Sequence, residues 1–254
     1  MTKLWNYPLL IFVITFFLLW LAAWAGARRS QMRRALADED VRDDFGVVQA
    51  ATLTLLGLII GFSFSMATGR YDQRKNYEEA EANAIGTEYL RAELLSAPDA
   101  AKVKALLRQY TEMRMRWYTT RNWEGVTALN TETEAMQNQL WAAVSRAASA
   151  QPSAVVALVL AGMNDVLNSQ GYTQAAWWNR IPVGAWCLMF AIALFCNWLV
   201  GYGLRRIETK LLVILPLVVA VSFFLIADID SPRGGVIRVH PHNLESLRAG
   251  LHAE

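Results

Sequence analysis

Few residues of this 254-residue chain stand where they could do covalent chemistry. His240-Pro241-His242 is the one histidine pair, and two imidazoles hold a metal only with further ligands at fixed distance, which the sequence does not offer. The phosphate-cradling G-x-x-x-x-G-K-[ST], the nucleophile elbow G-x-S-x-G and the zinc-binding H-E-x-x-H are all missing. Nucleotide hydrolysis, serine hydrolysis and zinc proteolysis therefore have no support, and the chain is expected to be no enzyme and to carry no catalytic residue, cofactor or metal. Cys187 and Cys196 lie nine positions apart in one apolar run, over two helical turns, and cannot bridge each other. They read as small buried apolar residues.

Two acidic groups remain. Glu78, Glu79 and Glu81 could attract a cation, but Arg74 and Lys75 stand one turn earlier, so a solvated, internally paired helix face is expected. Asp228 and Asp230 follow the last apolar run, where carboxylates need partners: Arg70, Arg74, Arg233 or a divalent cation. Calcium takes roughly six to eight oxygens, more than two aspartates supply, which favours arginine.

The elements that carry these residues are four uncharged apolar runs, 8–25, 45–68, 181–203 and 211–227. The first, at about 1.5 Å per residue, gives about 27 Å, the thickness of a bilayer's hydrocarbon core. In lipid every backbone polar group must be satisfied within the segment, so all four are expected to be α-helices. Ala23-Trp24-Ala25 resembles a signal cleavage site, but Arg28, Arg29, Arg33 and Arg34 directly after it favour a retained anchor. Composition agrees: 54% of residues are hydrophobic, 18% are charged, and mean hydropathy is +0.22. Trp5, Trp20, Trp24, Trp177, Trp178 and Trp198 are expected in the interfacial belt. Basic residues flank the runs without forming a patch, so nucleic acid is not a partner. Loops 26–44 and 204–210 hold eight Lys and Arg, against Lys3, Arg233 and Arg238 on the other short flanks. This count sets both termini and the central segment outside the cytoplasm.

The central segment reads as helical throughout. The second run is expected to continue out of the membrane as one long helix to Leu95, ended by Ser96-Ala97-Pro98. A helix over 99–119 follows, with Val103, Leu106, Leu107, Tyr110, Met113 and Trp117 on one face. The next carries Leu129, Met136, Leu140, Val144 and Ala147 and stops near Pro152; a last one runs over 153–178. Their natural packing is an antiparallel bundle. Residues 230–254 read as a mobile tail.

Function is sought where the second run leaves the membrane. Leu58, Phe62, Ser65 and Met66 fall on one helical face, and repetition about a symmetry axis would line a narrow path with an apolar constriction. Ordinary helix packing explains the same spacing. Arg70 and Arg74 stand at the mouth and would favour anions if they face the axis.

The runs Gly61 to Tyr71 and Glu81-Ala82-Asn83-Ala84-Ile85-Gly86-Thr87-Glu88-Tyr89-Leu90-Arg91, with Tyr110, Ile181-Pro182, Gly201-Tyr202 and Asp230-Ser231-Pro232-Arg233-Gly234, resemble the bestrophin-like domain family of bacterial membrane proteins. The resemblance extends over about residues 47–239 and distantly to bestrophins, pentameric anion channels with the same layout. It singles out the polar residues Tyr71, Glu81, Asn83, Arg91, Asp228 and Asp230. Bestrophins hold their helical domain in the cytoplasm, against the count above, and only Asp228 and Asp230 match their acidic calcium cluster, so calcium gating is not implied.

The expected architecture is an all-α membrane protein: spans one and two over 1–69, a helical bundle over 70–179, spans three and four over 180–229, and the tail. The expected function is an oligomeric ion channel of the bacterial inner membrane, its pore lined by the second span, anions slightly favoured. The partners are the lipid bilayer, further copies of the chain in a homo-oligomer, a pentamer by the resemblance, and inorganic ions. The alternative is a non-conducting sensor or scaffold that binds a partner or ligand through its helical domain.

Overall fold

A computed structural model describes residues 7–33, 40–204 and 209–253. Lys3, Trp5, Arg34, Arg205 and Arg206, on which the belt and the charge count partly rest, lie outside the described residues. Among the described residues there are eight α-helices: α1 (Pro8–Arg33), α2 (Asp40–Arg91), α3 (Ala97–Thr119), α4 (Trp123–Ala150), α5 (Ala154–Trp178), α6 (Val183–Gly203), α7 (Thr209–Asp230) and α8 (His242–Ala253). The chain divides into a first unit, Met1–Arg70 with Arg180–Arg238, and a second, Tyr71–Asn179 with Val239–Glu254.

The first unit holds the apolar helices. Among the described residues four helical stretches are long and apolar enough to cross a membrane, and the chain is a membrane protein. In lipid, helices gain little from burying apolar surface against each other and depend on close contact at small residues. Gly26 and Gly201 provide it. A Cβ on Gly201 would lie 1.8 Å from the Ala23 carbonyl oxygen, and one on Gly26 would lie 2.1 Å from that of Trp198. These two glycines set the α1–α6 distance. Phe223 of α7 meets Trp186 and Phe190 of α6 edge-on, with centroids 6.1 and 5.0 Å away, and Phe224 meets Phe12 of α1 at 6.3 Å.

The second unit is a water-type core of helices. Val103, Leu107, Tyr110, Met113 and Trp117 of α3 and Leu129, Leu140, Val144 and Ala147 of α4 are buried, as their spacing predicts, while Leu106 and Met136 are half-buried. The Ser153 side chain caps α5 by accepting from the Val156 N–H at 3.1 Å. A short 3-10 turn, Ala92–Leu94, closes α2, and Pro98 falls in the first turn of α3, where its missing N–H costs nothing.

Three expectations are corrected. Residues 242–253 are a docked helix, with Leu244 and Leu251 in the core and the Glu78 carboxylate accepting from the Leu244 N–H at 3.0 Å and Asn243 Nδ2 at 2.6 Å. Tail reading failed because α8 is short and its apolar residues are few. Trp177 is no interfacial anchor but core, 4.7 Å from the Trp117 ring. Nor do the acidic residues of α2 form one solvated face: Glu79 is exposed, whereas Glu78 and Glu81 are buried.

Candidate functional site

A helix advances 100° per residue, so Leu58, Phe62 and Ser65 fall within one narrow sector, with Met66 on its flank. All four are exposed, Phe62 at 64% and Leu58 at 52%. Leu56, Ser63 and Ala67, on the opposite face, are buried. Only 6% of the apolar window of α2 is buried, against 50% of that of α7. Gly57, Gly61 and Gly69 have open space where a Cβ would stand. The early part of α2 does touch α6, through Phe45 against Tyr202 and through the Cys196 thiol, which donates to the Thr52 carbonyl at 3.3 Å. Beyond it the outward stripe is free. Nearby hydroxyls are spent on the helix itself: Thr52, Thr54 and Thr68 each donate to the carbonyl four residues back.

The two arginines expected at the mouth lie off this stripe. Arg70 is eight positions after Phe62, about 80° round the helix, and Arg74 is about 160° from Leu58. Arg70 donates to the Met66 sulfur at 3.5 Å and stands 3.7 Å from the Asp230 carboxylate. Arg74 is buried and donates to the carbonyls of Ala176 and Asn179 at 3.3 and 3.2 Å, binding the C-terminal end of α5.

Asp228 and Asp230 organise the backbone where α7 ends. Asp228 accepts from the N–H groups of Val236 and Ile237, both at 2.8 Å, and Asp230 accepts from the Ile181 N–H at 3.2 Å. Arginine pairing is thus seen at Asp230. No group of metal-ligating side chains occurs among the described residues.

In the second unit buried charges follow the core stripe of α2, where Arg74, Glu78, Glu81, Ile85 and Glu88 recur every three or four residues. Glu81 pairs with the fully buried Arg114 of α3 and accepts from the Tyr118 hydroxyl at 3.0 Å and Thr173 at 3.1 Å. Burial works against the Arg114 charge, but the Glu81 carboxylate together with the neighbouring Tyr110 and Tyr118 side chains outweighs it, and the guanidinium stays protonated. Burial also raises the Tyr110 and Tyr118 hydroxyls above their ordinary range, so both stay neutral donors. Tyr71 is half-buried against the core, with the Lys75 ammonium 5.9 Å from its ring centroid, and Asn83 is exposed.

Glu88 was not anticipated as a site. Both its oxygens are buried without a hydrogen-bond partner, against a notch that Gly162 of α5 leaves open. A Cβ on Gly162 would lie 2.0 Å from Glu88 Oε2 and 2.4 Å from Arg91 Nη1, so both side chains occupy the space of the missing methyl. Burial raises the Glu88 carboxyl to about 8, Arg91 pulling it down and Asp165 pushing it up. The sequence signal existed: Arg114 and Glu88 sit at core spacing, and a charge at such a position needs a buried partner.

The chain matches the Bestrophin-like domain over residues 11–244. No curated protein matches it. Among solved structures it superposes on a bestrophin homologue from Klebsiella pneumoniae with a TM-score of 0.67 at 12% identity, covering 95% of this chain and 97% of that one. A single-residue variant of that homologue gives 0.65 at 12%, with the same coverage, and a variant described only as a membrane protein gives 0.67 at 12%, again covering 95% and 97%. At such identity the likeness concerns the fold.

Proposed function

The chain belongs to the Bestrophin-like domain family, and from that premise we infer that it is the subunit of an oligomeric ion channel whose pore is lined by α2. The observation that carries this reading is the outward stripe of Leu58, Phe62, Ser65 and Met66 on a helix whose apolar stretch its own chain leaves almost uncovered. A face of bulky apolar residues broken by hydroxyls and open glycines suits close approach of further copies around an axis, with Phe62 as the constriction. Five copies would follow the bestrophin layout. Arg70 and Arg74 lie one helix face away, so they favour anions through their field and not by contact with the permeating ion. The membrane is the inner membrane of a bacterium, and inorganic ions are the substrate.

Flux into liposomes tests the proposal. Phe62→Ala should raise chloride or potassium flux severalfold over the parent chain, because a ring of smaller side chains wets the constriction. Unchanged flux from particles that still form symmetric rings would remove Phe62 from the path. Silence in both proteins, with a stoichiometric partner co-purifying, would favour the non-conducting sensor or scaffold.

A further inference from the structure

We propose that a polar cleft between α4 and α5 binds a small zwitterion of amino-acid type. The cleft has a volume of about 350 Å³, within the range of small-molecule sites. All eight side chains that line it are polar: three threonines, four carboxamides and one carboxylate. A groove opened only by the splay of two amphipathic helices would show apolar side chains at its floor.

The hydrogen bonds around the cleft sort its groups into donors and acceptors. The Trp117 indole N–H can only donate, and it donates to Asn130 Oδ1 at 2.8 Å. The Asn130 amide is thereby oriented, with its NH₂ left for the cleft. Gln137 Nε2 donates to the Tyr110 hydroxyl at 3.3 Å and to Gln170 Oε1 at 3.4 Å, and Gln170 Nε2 donates to Gln174 Oε1 at 3.0 Å. This relay runs one way and ends on the unspent NH₂ of Gln174. Thr127 and Thr131 give their hydroxyl hydrogens to the carbonyls of Trp123 and Thr127, at 2.9 and 3.4 Å, and keep only lone pairs for a ligand. Glu134 is the single charge.

The cleft thus offers amide donors together with a carboxylate and hydroxyl acceptors. A ligand that answers both has an ammonium for Glu134 and a carboxylate or carbonyl for Asn130 and Gln174. A simple anion meets the Glu134 charge with no cation in the lining to offset it, and an apolar molecule strips water from the amides without replacing its hydrogen bonds. This site does not depend on the pore reading, and its failure would leave that reading untouched.

The test is calorimetric titration and thermal shift of the purified full chain in detergent with glycine, L-serine and L-glutamine, against methylamine and propionate, which carry one charged group each. At least one of the three zwitterions should bind saturably at millimolar concentration or below, at least tenfold more tightly than either control. Glu134→Gln and Gln174→Glu, the second keeping an acceptor for Gln170 Nε2 while losing the NH₂, should each weaken binding tenfold or more with the melting temperature of the free protein unchanged. No heat and no shift with any of the three overturns the proposal, as does binding that survives both substitutions or that methylamine or propionate reproduces.

Discussion

Glu88 and Glu81 are both carboxylates at core positions of α2, and they behave in opposite ways because of what faces them. Glu81 meets a guanidinium and two hydroxyls, so it is fully partnered. Removing only one member of such a buried pair leaves a bare charge in the core, at a cost of about 3–5 kcal/mol. Glu88 faces the Gly162 notch with no donor and holds its proton up to about pH 8. Its folded value lies above its ordinary 4.5, so between those two values the folded chain binds more protons than the unfolded one. Stability conferred by the protonated form is present below pH 4.5 and declines as pH rises through about 8, by at most about 1.4 kcal/mol per pH unit. Glu88→Gln should flatten this decline and be the more stable protein above pH 8. Melting curves from pH 5 to 9 check this, and parallel pH profiles for the two proteins would refute it. In the sequence Glu78 and Glu81 read as a solvated face although they break an apolar stripe, and the partners of the buried charges were hidden there, because Arg114, Thr173 and Gly162 are brought to α2 by tertiary packing that spacing along one helix does not encode.

At the scale of elements, the four spans and the long α2 were readable from uncharged runs and from the absence of proline, since length and periodicity are local properties. The inward turn of Arg70 and Arg74 was readable too, by counting helical angle from Phe62, yet proximity in sequence suggested a common mouth. The α1–α6 contact was not, because two glycines in separate apolar runs carry no mark that they touch. Gly201→Val should prevent that contact, as the added atoms meet the Ala23 backbone and not a flexible side chain. Overpacking costs about 1–3 kcal/mol when side chains can yield, and the loss here should exceed that range. Gly171→Ala, in open space on α5, should be neutral or stabilise by up to about 1 kcal/mol. Size-exclusion profiles and melting temperatures of the two variants compare them; a monodisperse Gly201→Val protein with parental stability would rule out the close approach.

For the whole molecule, sidedness rests on where basic residues fall, and we propose from the count of eight against three that the helical unit lies on the periplasmic face. In a chain lacking the exposed Cys187, a cysteine introduced at exposed Asn83 should then react with a membrane-impermeant maleimide in intact spheroplasts. Labelling only after lysis would place the unit in the cytoplasm, as in bestrophins. The docking of α8 has a further consequence, for biosynthesis. The second unit is built from 71–179 and 239–254, so its core stays open, with the sites of Leu244 and Leu251 vacant and Glu78 unsatisfied, until both later spans have been translated. A ribosome-bound chain can therefore thread all its membrane helices before its helical unit is able to close, and a chain interrupted at 238 would be inserted yet unfinished, a substrate for quality control instead of assembly.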